Sequence, residues 1–413
     1  MTAPTNLKRF SAAADPLLTT IAARIGLAAA SRIRTGCLTV QLPDGSRRVF
    51  GTPGSELHGE MHIHDMEALR RLLLGGEVGV GEAYMDGLWS SPDLVALTAL
   101  AVANRSDLAL SDGWWRVPAR IARTIAHRWN RNSRRGARRN IAAHYDLGND
   151  FYRLWLDETM TYSSALFESP GQSLADAQHD KYRRMAELAG LERGQHVLEI
   201  GTGWGGFALY AAGELGCRVT TVTISQAQHD LAKDRIAAAG LAGLVDVQLR
   251  DYRDVVGVYD AVVTVEMLEA VGPEYYRAFF SACDRALRSG GRMSVQVISF
   301  PHDAYEAQLR GVNWIQRYIF PGGALPSLVA IESSLEGTDL RVTGVQDIAD
   351  SYALTLRTWR SRFFERIEEV RAMGFDERFI RMWDYYLAIS EAGFQTGMTQ
   401  DLQIAFQKRP GTA

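Results

Sequence analysis

Val197-Leu198-Glu199-Ile200 reads as a short buried strand, and Gly201-Thr202-Gly203-Trp204-Gly205-Gly206 follows at once. An apolar run from Phe207 to Ala212 then reads as a helix. Strand, glycine turn and helix in that order constrain the fold more than any other stretch, because they open an α/β sheet. Glycines let the backbone turn tightly and let a ligand touch the main chain. The helix start beyond them offers unpaired N–H groups to a polar ligand end. Alone the pattern is weak, since many α/β proteins use such a turn only to pack helix on strand.

The repeats that follow strengthen it. Residues 218–224 (RVTTVTI) are β-branched and predict a second strand, after which Ser225 suits a helix N-cap. Residues 245–249 predict a third strand with Asp251 just beyond it, and 259–265 a fourth that ends at Glu266. Polar residues thus close each strand at its carboxyl end, where open α/β sheets bind ligands. No G-x-x-x-x-G-K-[ST] is present, which speaks against a P-loop. The Glu-x-Gly-x-Gly spacing lacks G-x-G-x-x-G/A and leans away from NAD, toward an S-adenosylmethionine site.

The 413 residues suggest two or three domains. Before the sheet, residues 1–110 read as a small α+β domain. They hold a helix at about 16–34, two short strands around Pro43-Asp44-Gly45, a third strand at 61–64, a helix at 65–74 stopped by Gly75-Gly76, and an apolar helix at 94–103. From Trp114 to Arg139 nine arginines occur with no acid, interleaved with Trp115, Ile121, Ile125 and Trp129. That mixture suits an anionic membrane surface, with a solvated linker as the bland alternative. Later segments predict a helix at 172–190, a fifth strand at 291–298, helices at about 352–373 and 375–393, and a last strand at 401–407. Net charge of −3 gives no argument for nucleic acid. Cys37, Cys217 and Cys283 have no metal spacing, which fits a reducing cytosol, and no metal is expected. No apolar run approaches a membrane span or a signal peptide. The expected location is cytoplasmic, peripheral on the inner face of the membrane.

Taken in order, several stretches resemble the cyclopropane-fatty-acyl-phospholipid synthase family of S-adenosylmethionine-dependent methyltransferases. They are HYDLGNDFYRLWLDETMTYSSALF (144–167), VLEIGTGWGG (197–206), TVTISQAQ (221–228), RDYRD (250–254), EMLEAVGPEYY (266–276), WIQRYIFPGG (314–323) and SYALTLRTWRSRF (351–363), with GEVGVGEAYMDGLW (76–89) matching the longer members. The resemblance implies a class I methyltransferase fold: a Rossmann-like, seven-stranded mixed sheet with a helical lipid-binding cap. It divides the chain into a lipid-presenting domain (1–110), a basic, aromatic, membrane-contacting linker (111–143), and a methyltransferase domain (144–413) whose acyl-chain cap covers about 300–395.

The resemblance also assigns residues. Tyr162 and Ser163 contact the methionine part of the cofactor, and the turn Glu199, Gly201, Thr202, Gly203 and Gly205 lies against it. Thr223 and Gln228 hold the ribose; Asp251 and Tyr252 flank the adenine. Ser164, Glu269, Gln296, Ile298 and Tyr352 surround a bicarbonate ion, with Glu269, Tyr352, Gln296 and Ser164 as the catalytic set. Read without the resemblance, Glu269 is a helix-start carboxylate, Gln296 a satisfied core amide, Tyr352 a surface residue and His144 a cap or core histidine.

Cyclopropane synthases usually carry Cys at the position of Ser164, His at Gln296 and Glu-His at Glu269-Ala270. Gln keeps a donor and an acceptor but cannot titrate. These departures resemble a branch found with methyl-branched chains, which methylates an oleoyl-type double bond to an exocyclic methylene for a separate reductase to saturate. The expected activity is therefore methyl transfer to unsaturated phospholipid in an anionic membrane, giving a methylene chain. A cyclopropane synthase, a non-catalytic lipid-binding subunit and a methyltransferase of small molecules or RNA are the alternatives. A homodimer is a further expectation. Tyr318, Phe320, Tyr352 and Trp359 are candidates to face a substrate cation.

Overall fold

The computed structural model describes residues 24–108, 147–309 and 311–410. The basic stretch Trp114 to Arg139, His144 and the start of the first expected helix lie outside the described residues. The chain divides into two compact units, one of residues 1–116 with 377–385, the other of residues 117–376 with 386–413.

In the first unit, β1 (Cys37–Gln41) pairs antiparallel with β2 (Arg47–Gly51) and parallel with β3 (His58–Ile63), and β4 (Trp89–Ser90) closes the sheet. The Pro43-Asp44-Gly45 turn forms as its residues predict: Gly45 adopts φ 81° and Asp44 Oδ1 accepts from the Ser46 N–H at 2.9 Å. Leu94–Ala103 is a helix capped by Asp93, whose side chain accepts from the Ala96 N–H. The expected stop at Gly75-Gly76 is instead a kink. Gly76 takes φ 58°, ψ −140°, and helix resumes to Met85.

The second unit is built on seven strands in the order β10-β11-β9-β8-β5-β6-β7. They are β5 (His196–Ile200), β6 (Arg218–Thr223), β7 (Val245–Leu249), β8 (Tyr259–Val265), β9 (Leu287–Ser299), β10 (Leu340–Asp347) and β11 (Gln400–Lys408). The pairs β5–β6, β6–β7, β5–β8 and β8–β9 are parallel, while β11 runs antiparallel to both β9 and β10. This is the mixed seven-stranded sheet of a class I methyltransferase. The central strands are apolar on both faces because helices cover both: Leu198, Val262, Val263, Val295 and Val297 are fully buried. β10 has no counterpart among the sequence expectations, so the stretch 300–395 is not wholly helical. Its central polar and glycine residues lie at the sheet edge and are mostly exposed.

Chain order reverses between β5 and β8: β5 leads to β6 on one side and pairs with β8 on the other. That reversal leaves a crevice at the carboxyl ends of these two strands, the usual ligand site of such sheets.

Candidate active site

The turn after β5 is held by its neighbour strand. The N–H groups of Gly201 and Thr202 both donate to the Val222 carbonyl, and Thr221 Oγ1 donates to Thr202 Oγ1 at 2.7 Å. Gly201, Gly203 and Gly205 have φ of 99°, 51° and 87°, a region that costs other residues steric strain. A Cβ on Gly203 would meet nothing within 4 Å, so the turn presents bare backbone beside open space. Glu199 is buried, and its Oε2 has no partner among the described residues. An orphan acceptor and a bare glycine turn at the switch point fit a polar, cationic cofactor such as S-adenosylmethionine.

Thr223 and Gln228 meet, with Thr223 Oγ1 donating to Gln228 Oε1 at 3.0 Å. Ser225 caps Gln226–Ala238 as its sequence predicts. The Asp251 carboxylate accepts from the Arg253 guanidinium at 2.8 Å on each oxygen. Tyr252 opens the next turn and packs 5.3 Å from Phe279. Tyr162 shares a hydrogen bond of 2.9 Å with the Tyr386 hydroxyl, and its ring lies 5.4 Å from Tyr152, Trp155 and Trp359. Phe320 joins this aromatic chain at 6.4 Å, and Tyr352 reaches Trp359 at 6.2 Å. Tyr318 packs on Trp314.

The expected anion-holding set is brought together, but around a residue that the sequence expectations passed over. The Ser164 N–H and Gln296 Nε2 both donate to Glu266 Oε1 at 2.8 Å. The Tyr352 hydroxyl donates to Glu266 Oε2 at 2.7 Å. Only Ile298 goes to Glu269, its N–H donating to Oε1 at 2.6 Å. Tyr352 is buried and stacked on Phe394 at 4.3 Å, so it is no surface residue. Gln296 also donates to Asp401 Oδ2 at 3.2 Å and accepts from Gln403 at 3.0 Å.

Lys181 completes the centre. It is fully buried, and its Nζ donates to Ser163 Oγ at 2.7 Å. Burial pulls its pKa down to about 8, against the pull of Glu266, Asp157, Asp401 and Glu199. Burial pushes Glu266 up, opposed first by the Lys181 charge and then by its hydrogen bonds. Burial and then the Glu266 charge push Glu269 up to about 8, and burial pushes Glu199 to about 8. Two signals for these residues lay in the sequence. Glu266 closes an apolar strand at the ligand end of the sheet. Lys181 falls on the buried stripe Leu174, Ala177, Gln178, Lys181, Tyr182 and Met185 of the helix Leu174–Ala189.

These shifts predict how stability changes with pH. Glu199 and Glu269 move from 4.5 unfolded to about 8 folded, so between those values the folded chain holds more protons. Stability therefore falls as pH rises through that window. Lys181, lowered from 10.5 to about 8, acts oppositely only above it. Thermal scans of the ligand-free protein are expected to show the midpoint dropping from about pH 5 to 8. A midpoint that climbs steadily over this range contradicts the protonated buried acids.

The family profile described as mycolic acid cyclopropane synthetase matches residues 132–404. The chain is 44% identical over 346 residues to a tuberculostearic acid methyltransferase of Mycobacterium tuberculosis, covering 82% of this chain and 80% of that protein. It is 33% identical over 349 residues to the cyclopropane-fatty-acyl-phospholipid synthase of Escherichia coli K12, covering 84% and 88%. Among solved structures, a mycolic acid cyclopropane synthase complexed with SAH and CTAB superposes with a TM-score of 0.61 at 31% identity, over 66% of this chain and 98% of that one.

Proposed function

This chain belongs to the mycolic acid cyclopropane synthetase family, and on that premise we propose that it converts the double bond of an unsaturated phospholipid acyl chain to a methylene-bearing one. It is an enzyme, a methyltransferase that uses S-adenosylmethionine. The observation that carries the proposed product is Gln296: a non-titrating amide, bonded to Glu266, Asp401 and Gln403, stands where cyclopropane synthases usually carry His. Similarity to a tuberculostearic acid methyltransferase supports the same product.

In this proposal Glu199, Gly201, Thr202, Gly203 and Gly205 hold the cofactor, with Tyr162 and Ser163 at its methionine end. Thr223 and Gln228 serve the ribose, Asp251 and Tyr252 the adenine. When bound, the cofactor supplies an electrophilic methyl. An alkene is a weak nucleophile, so alignment must supply much of the rate. Tyr162, Phe320, Tyr352 and Trp359 form a wall of rings that excludes water and faces the cation left on the acyl chain. A proton must then leave to an acceptor within hydrogen-bonding reach.

The family resemblance also implies a bicarbonate ion, but the residues present do not fit one. Ser164, Gln296 and Tyr352 already donate to Glu266, and Ile298 to Glu269. A free anion would sit against two carboxylates with these donors taken.

No described helix is long and apolar enough to cross a membrane. Membrane access is proposed to come from the arginine- and tryptophan-rich stretch Trp114 to Arg139, placing the enzyme peripherally on the inner face. Residues 1–110 are proposed to present lipid, residues 300–395 to cap the acyl chain. A homodimer and a separate reductase that saturates the methylene complete the proposal. Purified protein, methyl-labelled S-adenosylmethionine and oleoyl phospholipid vesicles test it. Label is expected in the acyl chains. Cofactor binding with no label in lipid would instead make the chain a non-catalytic lipid binder.

A further inference from the structure

We propose that Glu266 is the proton acceptor of the reaction, an anion built into the chain in place of a dissolved one. The inference rests on the proposed methyl transfer and names the group that finishes it. Three donors from three separate places converge on this carboxylate: the Ser164 N–H before the helix Leu174–Ala189, Gln296 on β9 and Tyr352 on the helix Ala349–Glu365. Those donors define an anion site, and the chain fills it with its own side chain.

The backbone shows that this placement is not incidental. Glu266 has φ 47°, one of two non-glycine residues with positive φ among those described. Strain of this kind persists where the surroundings enforce it, most often at functional sites. The strained turn at the end of β8 aims the carboxylate back to the switch point. Ser164, Gln296, Lys181 and Asp401 are buried, whereas Glu266 keeps some accessible surface. Glu269 shares that partial exposure, but the three convergent donors are on Glu266, which a substrate can meet.

Its neighbours suit the role. Lys181 is the cation that favours its ionised form, and each donor is bonded to the charged state. Glu269 and Asp401, both held up by burial, stand by as neutral acids and add no competing charge. The step balances. Methyl addition leaves the cation on the neighbouring alkene carbon, and a 1,2-hydride shift carries it to the methyl-bearing carbon. A C–H bond of the new methyl then breaks, its electron pair becomes the exocyclic C=C, and the proton goes to a Glu266 oxygen. The neutralised carboxyl later releases that proton to water. No further reactant is consumed.

The test compares the full chain and its variants in carbonate-free buffer and with added bicarbonate, on oleoyl phospholipid vesicles with labelled cofactor. Wild type is expected to turn over equally in both. Glu266→Gln is expected to lose about 100-fold or more in kcat, within the range general bases contribute, with cofactor affinity by calorimetry changed less than about 3-fold. Glu266→Gly suits the positive φ and so folds readily. It is expected to be slow without carbonate and to recover about 10-fold or more when bicarbonate refills the donors. Wild type that slows in carbonate-free buffer, a Gln variant that keeps wild-type turnover, or a Gly variant that bicarbonate never rescues each overturn the assignment. All three are read in an enzyme that labels lipid, so they are distinct from failure of methyl transfer itself, which is lipid without label.

Discussion

Lys181→Met is expected to reduce turnover by about 100-fold or more, because the site's base would no longer be held ionised. Lys181 is fully buried, and the Glu266 carboxylate is the foremost charge that holds its ammonium. Methionine keeps much of the volume and the flexible stem but no charge. Glu266 would then face burial without its main opposing charge, and its pKa would rise further. A protonated Glu266 cannot accept the proton that ends the reaction. Removing one partner of a buried ion pair also costs about 3–5 kcal/mol where the other stays charged. Here the acids can escape by protonation, so the deficit depends on pH. It is expected to be small at about pH 5, where the carboxyls are neutral, and to widen toward pH 8. Steady-state kinetics and thermal scans at the two pH values check both parts. Turnover within about 3-fold of wild type would contradict the role given to Lys181.

The second large effect falls on the glycine turn. A Cβ on Gly206 would lie 2.1 Å from the Tyr182 hydroxyl and 3.0 Å from Thr161 Oγ1. Neither can step aside easily. Tyr182 is buried, and Thr159, Thr161 and Tyr182 are joined in one chain of hydroxyls. Gly206→Ala therefore pushes on the segment that carries Tyr162, Ser163 and Ser164. Overpacking of this kind costs about 1–3 kcal/mol. In domains of 150–250 residues each kcal/mol lowers the midpoint by about 2–4 °C. Cofactor affinity is expected to fall about 10-fold or more, since both the turn and the methionine-contacting segment shift. Gly243→Ala is the control: a Cβ there meets nothing within 4 Å and the backbone is ordinary, so it should behave as wild type. Equal cofactor affinity in the two variants would contradict the place given to the turn.

Much of this architecture was legible in the residues. β-Branched runs bounded by glycine and polar residues marked β5 to β8, and Ser225 announced its cap. The edge strand β10 was not legible. Its sequence LRVTGVQD carries Gly344 at a register shift and has mostly exposed positions, so it has neither an apolar run nor a regular alternation. Glu266 was visible as the polar end of β8, but its partners lie 30, 86 and 102 residues away. Convergence over such distances is made by the sheet order and cannot be read from local pattern. Glu269 attracted the role because it falls where the family carries the Glu of its Glu-His pair, whereas Glu266 only opens that motif. In the structure it accepts from Ile298 while the other donors turn to Glu266. Lys181 was hidden for a simpler reason: a lysine in an amphipathic helix is normally a solvated residue, and only its phase on the buried stripe said otherwise.

The most direct test of the account is the identity of the product. Oleoyl phospholipid vesicles treated with the wild-type chain and carbon-13 methyl-labelled S-adenosylmethionine are examined by NMR, since cyclopropane and methylene products have the same mass. Label in an exocyclic olefinic CH2, formed at full rate without bicarbonate, is the predicted result. Label in a cyclopropane ring CH2 would contradict it.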